Sequence, residues 1–172
     1  FYASASWDST YSCLSNLHHR IAPGRNCGRD DFVFAYKLNN TAMIFPFGVQ
    51  FHAEQRLVVW RPRGLLDEKV VSDVVAALNQ LEMELHEPFN RFSDSTGIEQ
   101  VELNYEYIIS VALYRRFAYA QRPPIKSAIL ATNPKLIHYA QIHALLTQDS
   151  PIHVRIFPDD RSAVAQWLDA PV

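Results

Sequence analysis

Pro88-Phe-Asn-Arg-Phe-Ser-Asp-Ser-Thr-Gly97, followed by an apolar-periodic run from Val101 to Phe117, reads as a strand that delivers a polar, glycine-ended loop to the start of a helix. Open α/β sheets place their recognition surfaces there, outside the carboxyl ends of the strands. A second unit, Ile152-His-Val-Arg-Ile-Phe-Pro-Asp-Asp-Arg-Ser-Ala-Val-Ala-Gln-Trp-Leu168, repeats the strand–turn–helix grammar. Its Ile152, Val154 and Ile156 alternate with His153 and Arg155, as in a strand with one wetter face. Asp159 or Asp160 then caps a short helix carrying Val164, Trp167 and Leu168.

Working outward, Phe45–Phe51 and Arg56–Arg61 read as two strands of a hairpin, with Gly64 ending the second. Asp67–Leu85 is a helix: Val70, Val74, Leu78, Leu81 and Leu85 recur at three and four, and Asp67 is its N-cap. Phe89–Phe92 is the third strand. Val101–Phe117 is the second helix, with Arg115 and Arg116 suited to its C-terminal dipole, and Pro123-Pro124 forbids its continuation. Ile125–Ala131 is nearly continuous apolar sequence, the mark of a central strand covered on both faces. Asn133-Pro134 opens a third helix that runs to about Thr147. The expected fold is therefore α/β: a mixed, largely parallel sheet of about five strands with about four helices, in the order ββαβαβαβα.

At 172 residues, 48% apolar and 20% charged, the chain has the size and composition of one ordinary globular domain. A net charge of −2 argues against bulk attraction to nucleic acid or anionic membrane. No apolar run approaches the roughly 20 residues of a spanning helix, and no secretory signal opens the chain, so the expected address is cytoplasmic. Residues 1–42 show no sustained period and are punctuated by Pro23-Gly24 and Cys27-Gly28. They read as an irregular leader or extension: upstream sequence outside the native coding region, a mobile leader, or a segment packed on the domain. Residues 43–172 form the single domain. Cys13 and Cys27 match no paired-thiol metal site and read as free thiols.

Several of these stretches together resemble the STAS superfamily and, within it, the bacterial anti-sigma-factor-antagonist-like group. They are the opening hairpin with Gly64, the loop Phe92-Ser-Asp-Ser-Thr-Gly97, the strand Lys126-Ser-Ala-Ile-Leu130 and the closing Val154–Leu168 segment. The likeness covers about residues 45–168. It implies a compact mixed sheet serving as a phospho-regulated protein-binding switch, a module of an anion transporter, or a small protein that holds apolar ligands. The regulatory members carry Asp-Ser-Ser-Gly at the start of the second helix. Here Glu102-Leu103-Asn104-Tyr105 stands opposite, without the phosphoacceptor serine. Ser95 and Thr96 are hydroxyls in the neighbouring loop, where a phosphate would add nearly two negative charges; an Asx- or ST-type turn is the plainer role.

No nucleophile elbow, phosphate-cradling loop, dinucleotide fingerprint or His-Glu-x-x-His motif occurs, so the sequence predicts neither enzyme nor cofactor. His138 and His143 diverge by about 140° on a helix of ~3.6 residues per turn and cannot share a metal. Two functions remain. The first is a non-enzymatic interaction module, binding a protein partner or itself as a homodimer through Ser93, Asp94, Ser95, Thr96, Gly97, Glu102 and Asn104. The second is a carrier for an apolar small molecule or lipid, in a cleft between the second helix and the sheet of roughly 300–1,000 Å³. Tyr105, Ile108, Ile109 and Ala112 are the candidate ligand or dimer surface. Arg115, Arg116, Arg122 and Lys126 are a candidate anion patch, set against the ordinary collection of cations at a helix C-terminus.

Overall fold

The computed structural model describes residues 36–38, 42–44 and 48–172, all within the compact unit Val33–Val172. Cys13, Cys27 and most of the 1–42 segment lie outside the described residues. The elements are β1 (Tyr36–Leu38), β2 (Ala42–Ile44), β3 (Val49–His52), β4 (Leu57–Trp60), β5 (Arg63–Asp67), α1 (Glu68–Leu85), β6 (Asn90–Asp94), β7 (Gly97–Glu102), α2 (Tyr105–Tyr119), β8 (Ile125–Leu130), α3 (Pro134–Leu146), β9 (Ile152–Phe157) and α4 (Arg161–Leu168).

The main sheet runs β1-β2-β3-β4-β6-β8-β9. Its first three pairings are antiparallel, and β4, β6, β8 and β9 are parallel neighbours. The mixed α/β class, the four helices and the parallel run match the expectation. The sheet is wider than five strands, and β2 straddles the 42/43 boundary.

Two further elements, inside the parallel part of the chain, break the expected order. β5 and β7 pair in parallel as a separate two-stranded ribbon. Gly64 does not end the hairpin: it lies inside β5 with φ of 70°, where the register shifts from Gly64↔Ile98 to Leu65↔Gln100 and leaves Glu99 without an opposite number. This β-bulge turns both Ile98 and Val101 inward. The second helix therefore begins at Tyr105, not Val101. Asn104 sets that start, its side chain accepting the Tyr107 N–H at 2.8 Å.

The other helices begin by the same device. Asp67 accepts from Val70 N–H at 2.8 Å, Asn133 from Lys135 and Leu136 at 3.0 and 3.2 Å, and Asp160 from Ala163 at 2.9 Å. Strand alternation then sends side chains to two different layers. Leu57, Val59, Phe92, Ala128 and Leu130 meet Val164 and Leu168 of α4 on one face. Val58, Trp60, Arg91, Ser93, Ser127 and Ile129 point to the other face, beneath α1, α2 and α3.

Candidate functional site

The strands give the second face an unusual floor. Register places Val58, Arg91, Ser127 and Val154 in one row, and Trp60, Ser93, Ile129 and Ile156 in the next. Central parallel strands covered on both faces normally carry aliphatic side chains there. The two serines leave space that a Val or Ile would fill. Above this floor lies a cavity of ≈170 Å³, walled by Val71, Val74, Val75 and Leu78 of α1, Ile108, Val111 and Arg115 of α2, and Leu136, Tyr139, Ala140 and His143 of α3. Leu66 of β5 and Leu103 also line it. The cavity sits between the second helix and the sheet, as the ligand-cleft expectation has it, but it is smaller than roughly 300 Å³.

The lining is apolar apart from a polar pole. Arg91 is 5% exposed and His143 9%. Arg91 Nε, Arg115 Nη2 and both ring nitrogens of His143 are buried without a hydrogen-bond partner among the described residues. Burial, with the nearby Arg91 charge, pushes the His143 pKa down to about 4, so the ring is neutral at pH 7 with one N–H to donate. The Arg91 Nη2 nitrogen is better served. Nη2 donates to Glu82 Oε1 and to the Tyr119 hydroxyl, which itself donates to Glu82. Burial first, and the Glu82 carboxylate with it, raises the Tyr119 pKa to about 12. Arg122 completes the network through Glu82 Oε2 at 2.6 Å. Beyond it opens a cleft of ≈500 Å³ bounded by Glu82, Phe89, Tyr119 and Ile125.

The expected interaction residues divide between buried and exposed positions. Ser93 and Asp94 belong to β6, and Asp94 is 2% exposed. Its carboxylate accepts from Arg161 at 2.5 Å and from the Thr96 hydroxyl at 2.7 Å. Burial alone would raise the Asp94 pKa, but these hydrogen bonds and the Arg161 charge outweigh it and the pKa is lowered. Ser95 is buried too; its N–H donates to Leu130 O at 2.8 Å and its hydroxyl pairs with Ser93 at 2.8 Å. Thr96 is exposed, and Gly97 opens β7 beside the Arg63 side chain, where a β-carbon would collide. Glu102 is exposed at the end of β7, and Asn104 caps α2. A contact surface made of all seven residues is therefore not present.

The other two candidate groups also divide. Ile108 lines the cavity and Ala112 is buried beside it, whereas Ile109 and Tyr105 face outward, the Tyr105 hydroxyl 3.1 Å from His138 Nε2. The four cations do not make one patch. Arg115 turns to the cavity, Arg116 pairs with Asp149 at 3.7 Å, Arg122 with Glu82, and Lys126 donates to Trp167 O at 2.8 Å on the α4 side.

The residues missed by sequence reasoning are Arg91, Ser127, Trp60, Tyr139 and His143. Helical phase held the signal for His143, seven positions after Leu136 on the buried stripe of α3, and for Arg115, seven after Ile108 on that of α2. Among the described residues no three His, Cys, Asp or Glu side chains gather as a metal-binding group, and no helix is long and apolar enough to cross a membrane. No protein-family model, curated protein or solved structure matches the chain.

Proposed function

We propose that the domain binds a small, mainly apolar molecule in the cavity beneath α1, α2 and α3. The observation that carries this reading is the ≈170 Å³ hollow between the three helices and the sheet, lined mainly by core hydrophobics. Protein interiors pack like organic crystals, with few voids larger than a water molecule. A site of this size accommodates a benzene ring and a few further atoms, since an apolar cavity of about 150 Å³ takes benzene. The resemblance to the STAS superfamily, some of whose small members are suspected of holding apolar ligands, is consistent with it. Titration with toluene, followed through the methyl resonances of Ile108 and Ile129, should give saturable shifts. Native mass spectrometry of protein purified from cells should show an added small mass. Absence of both would remove this reading.

A protein-contact role draws separate support from α2, where Ile109, Leu113 and Phe117 succeed one another at four-residue spacing and Phe117 is 77% exposed. Sedimentation of the wild-type chain and of Phe117→Asp tests self-association through that stripe. A monomer at every concentration would dismiss the homodimer.

A further inference from the structure

We infer that the ligand of this cavity is a small organic monoanion, a carboxylate on an apolar body, with its head group at the Arg115–His143–Arg91 pole. The inference rests on the small-molecule reading above and specifies its chemistry.

Three observations lead there. First, the unpartnered polar atoms among the cavity residues are mainly donors. Arg91 Nε and Arg115 Nη2 can only donate, and neutral His143 supplies one N–H. A neutral hydrocarbon would leave all of them unsatisfied, and a buried polar group without a partner is destabilising. Second, the charges do not balance within the protein. Glu82 answers Arg91 and, through its other oxygen, Arg122. Arg115 makes no ion pair among the described residues, and its terminal nitrogen is buried beside the cavity. Arg122 is half exposed and otherwise left to solvent, so Arg115 is the cavity-side guanidinium without an answer, and it calls for one negative charge. A phosphate dianion would overshoot it and would have to shed far more water into an apolar site. Third, the donors come from three different elements, β6, α2 and α3, around one end of the cavity. Arg115 and His143 lie at the far ends of the apolar stripes that start at Ile108 and Leu136. The remaining length is bounded by Trp60, Ile108, Leu136 and Leu66, which suit a ring or short alkyl chain.

In this arrangement the carboxylate accepts from Arg115 Nη2 and from the His143 ring, with Arg91 Nε as the third donor. Arg91 is held by Glu82 and Tyr119, so it is pre-set before the ligand arrives. No bond is made or broken. The site recognises and holds.

The test uses the full-length chain and two pairs of probes, benzoate against toluene and octanoate against octane, in calorimetry and ligand-observed NMR. A carboxylate should bind at least about tenfold more tightly than its neutral counterpart, the scale of a hydrogen bond to a charged group. Arg115→Met should remove that preference while toluene still binds, and Arg115→Lys should restore part of it. Whichever carboxylate binds better tells a ring-shaped body from a chain. Equal affinity for toluene and benzoate, or a carboxylate preference that survives Arg115→Met, overturns the anion inference and leaves the cavity reading standing. Failure of all four probes overturns both. Circular dichroism of each variant verifies that the fold is retained.

Discussion

The two faces of the main sheet are built from the same strands and solve opposite problems. On the α4 side, Phe92, Leu57, Val59 and Leu130 interlock with Val164 and Leu168, and the polar intruder, Asp94, is fully answered by Arg161 and Thr96. Under α1, α2 and α3 the alternate residues of those strands are Arg91, Ser93 and Ser127, a cavity remains, and the buried polar atoms of Arg115 and His143 are left over. A single strand shows the contrast most plainly: in β6, Phe92 and Asp94 serve the filled face, Arg91 and Ser93 the open one. One face is spent on stability. The other keeps volume and unpaired donors that stability alone does not explain.

Truncation on the filled face should have the largest effect. Phe92→Ala should cost about 4 kcal/mol in urea unfolding, because the α4 layer cannot collapse into the space. A loss below about 1 kcal/mol would mean that this face is no better packed than its opposite. Next is the pH response of the open face. Folded His143 has its pKa depressed from 6.5 to about 4. Between those values the unfolded chain binds the extra proton, so stability is complete above the upper value and falls as the pH drops toward the lower one. The charge that acts on the ring is that of Arg91 on β6, which adds to the burial penalty instead of relieving it. The loss is on the order of 3 kcal/mol. His143→Leu should flatten it in denaturation curves taken across that window.

A third measurement concerns Arg161→Ala, which strips the charged partner from Asp94. Since Arg161 is partly solvated, a cost of about 2 kcal/mol is expected. Acid sensitivity should also shift: the stability that Asp94 contributes is present above its ordinary pKa of 3.8 and lost as the pH falls through the lowered folded value. The smallest effect has the opposite sign. Ser127→Val should stabilise by about 1 kcal/mol by filling the floor of the cavity, and should weaken the binding of toluene. A destabilising Ser127→Val would indicate that the hydroxyl is needed and that the floor is not spare volume.

Much of this architecture was legible in the residues. Caps at Asp67, Asn133 and Asp160, and the strand that ends at Leu130, announce themselves by local chemistry. β5 and β7 did not. The bulge at Glu99 sets Ile98 and Val101 on one side three residues apart, a helical spacing, so the apolar rhythm of α2 seemed to begin four residues early. Asn104 was the contrary signal. The polar corner 93–97 was misleading for a different reason: burial of Asp94 depends on Arg161, 67 residues away, and no local pattern encodes that pairing. His143 and Arg115 were visible as helix positions, but their joint meaning needed the three-dimensional fold that brings α2 and α3 over two serines.

The β5–β7 ribbon has a further consequence. It is held by a single strand pairing with a bulge in it, whereas β8 is flanked by strands on both sides, and isolated two-stranded pairs are marginal in water. Leu66 and Leu103, one in the ribbon and one just after it, line the cavity. Amide hydrogens of Leu65–Asp67 and Gln100–Glu102 should therefore exchange well before those of Ser127–Leu130. A guest's dwell time would then follow the breathing of this flap instead of global unfolding of the domain.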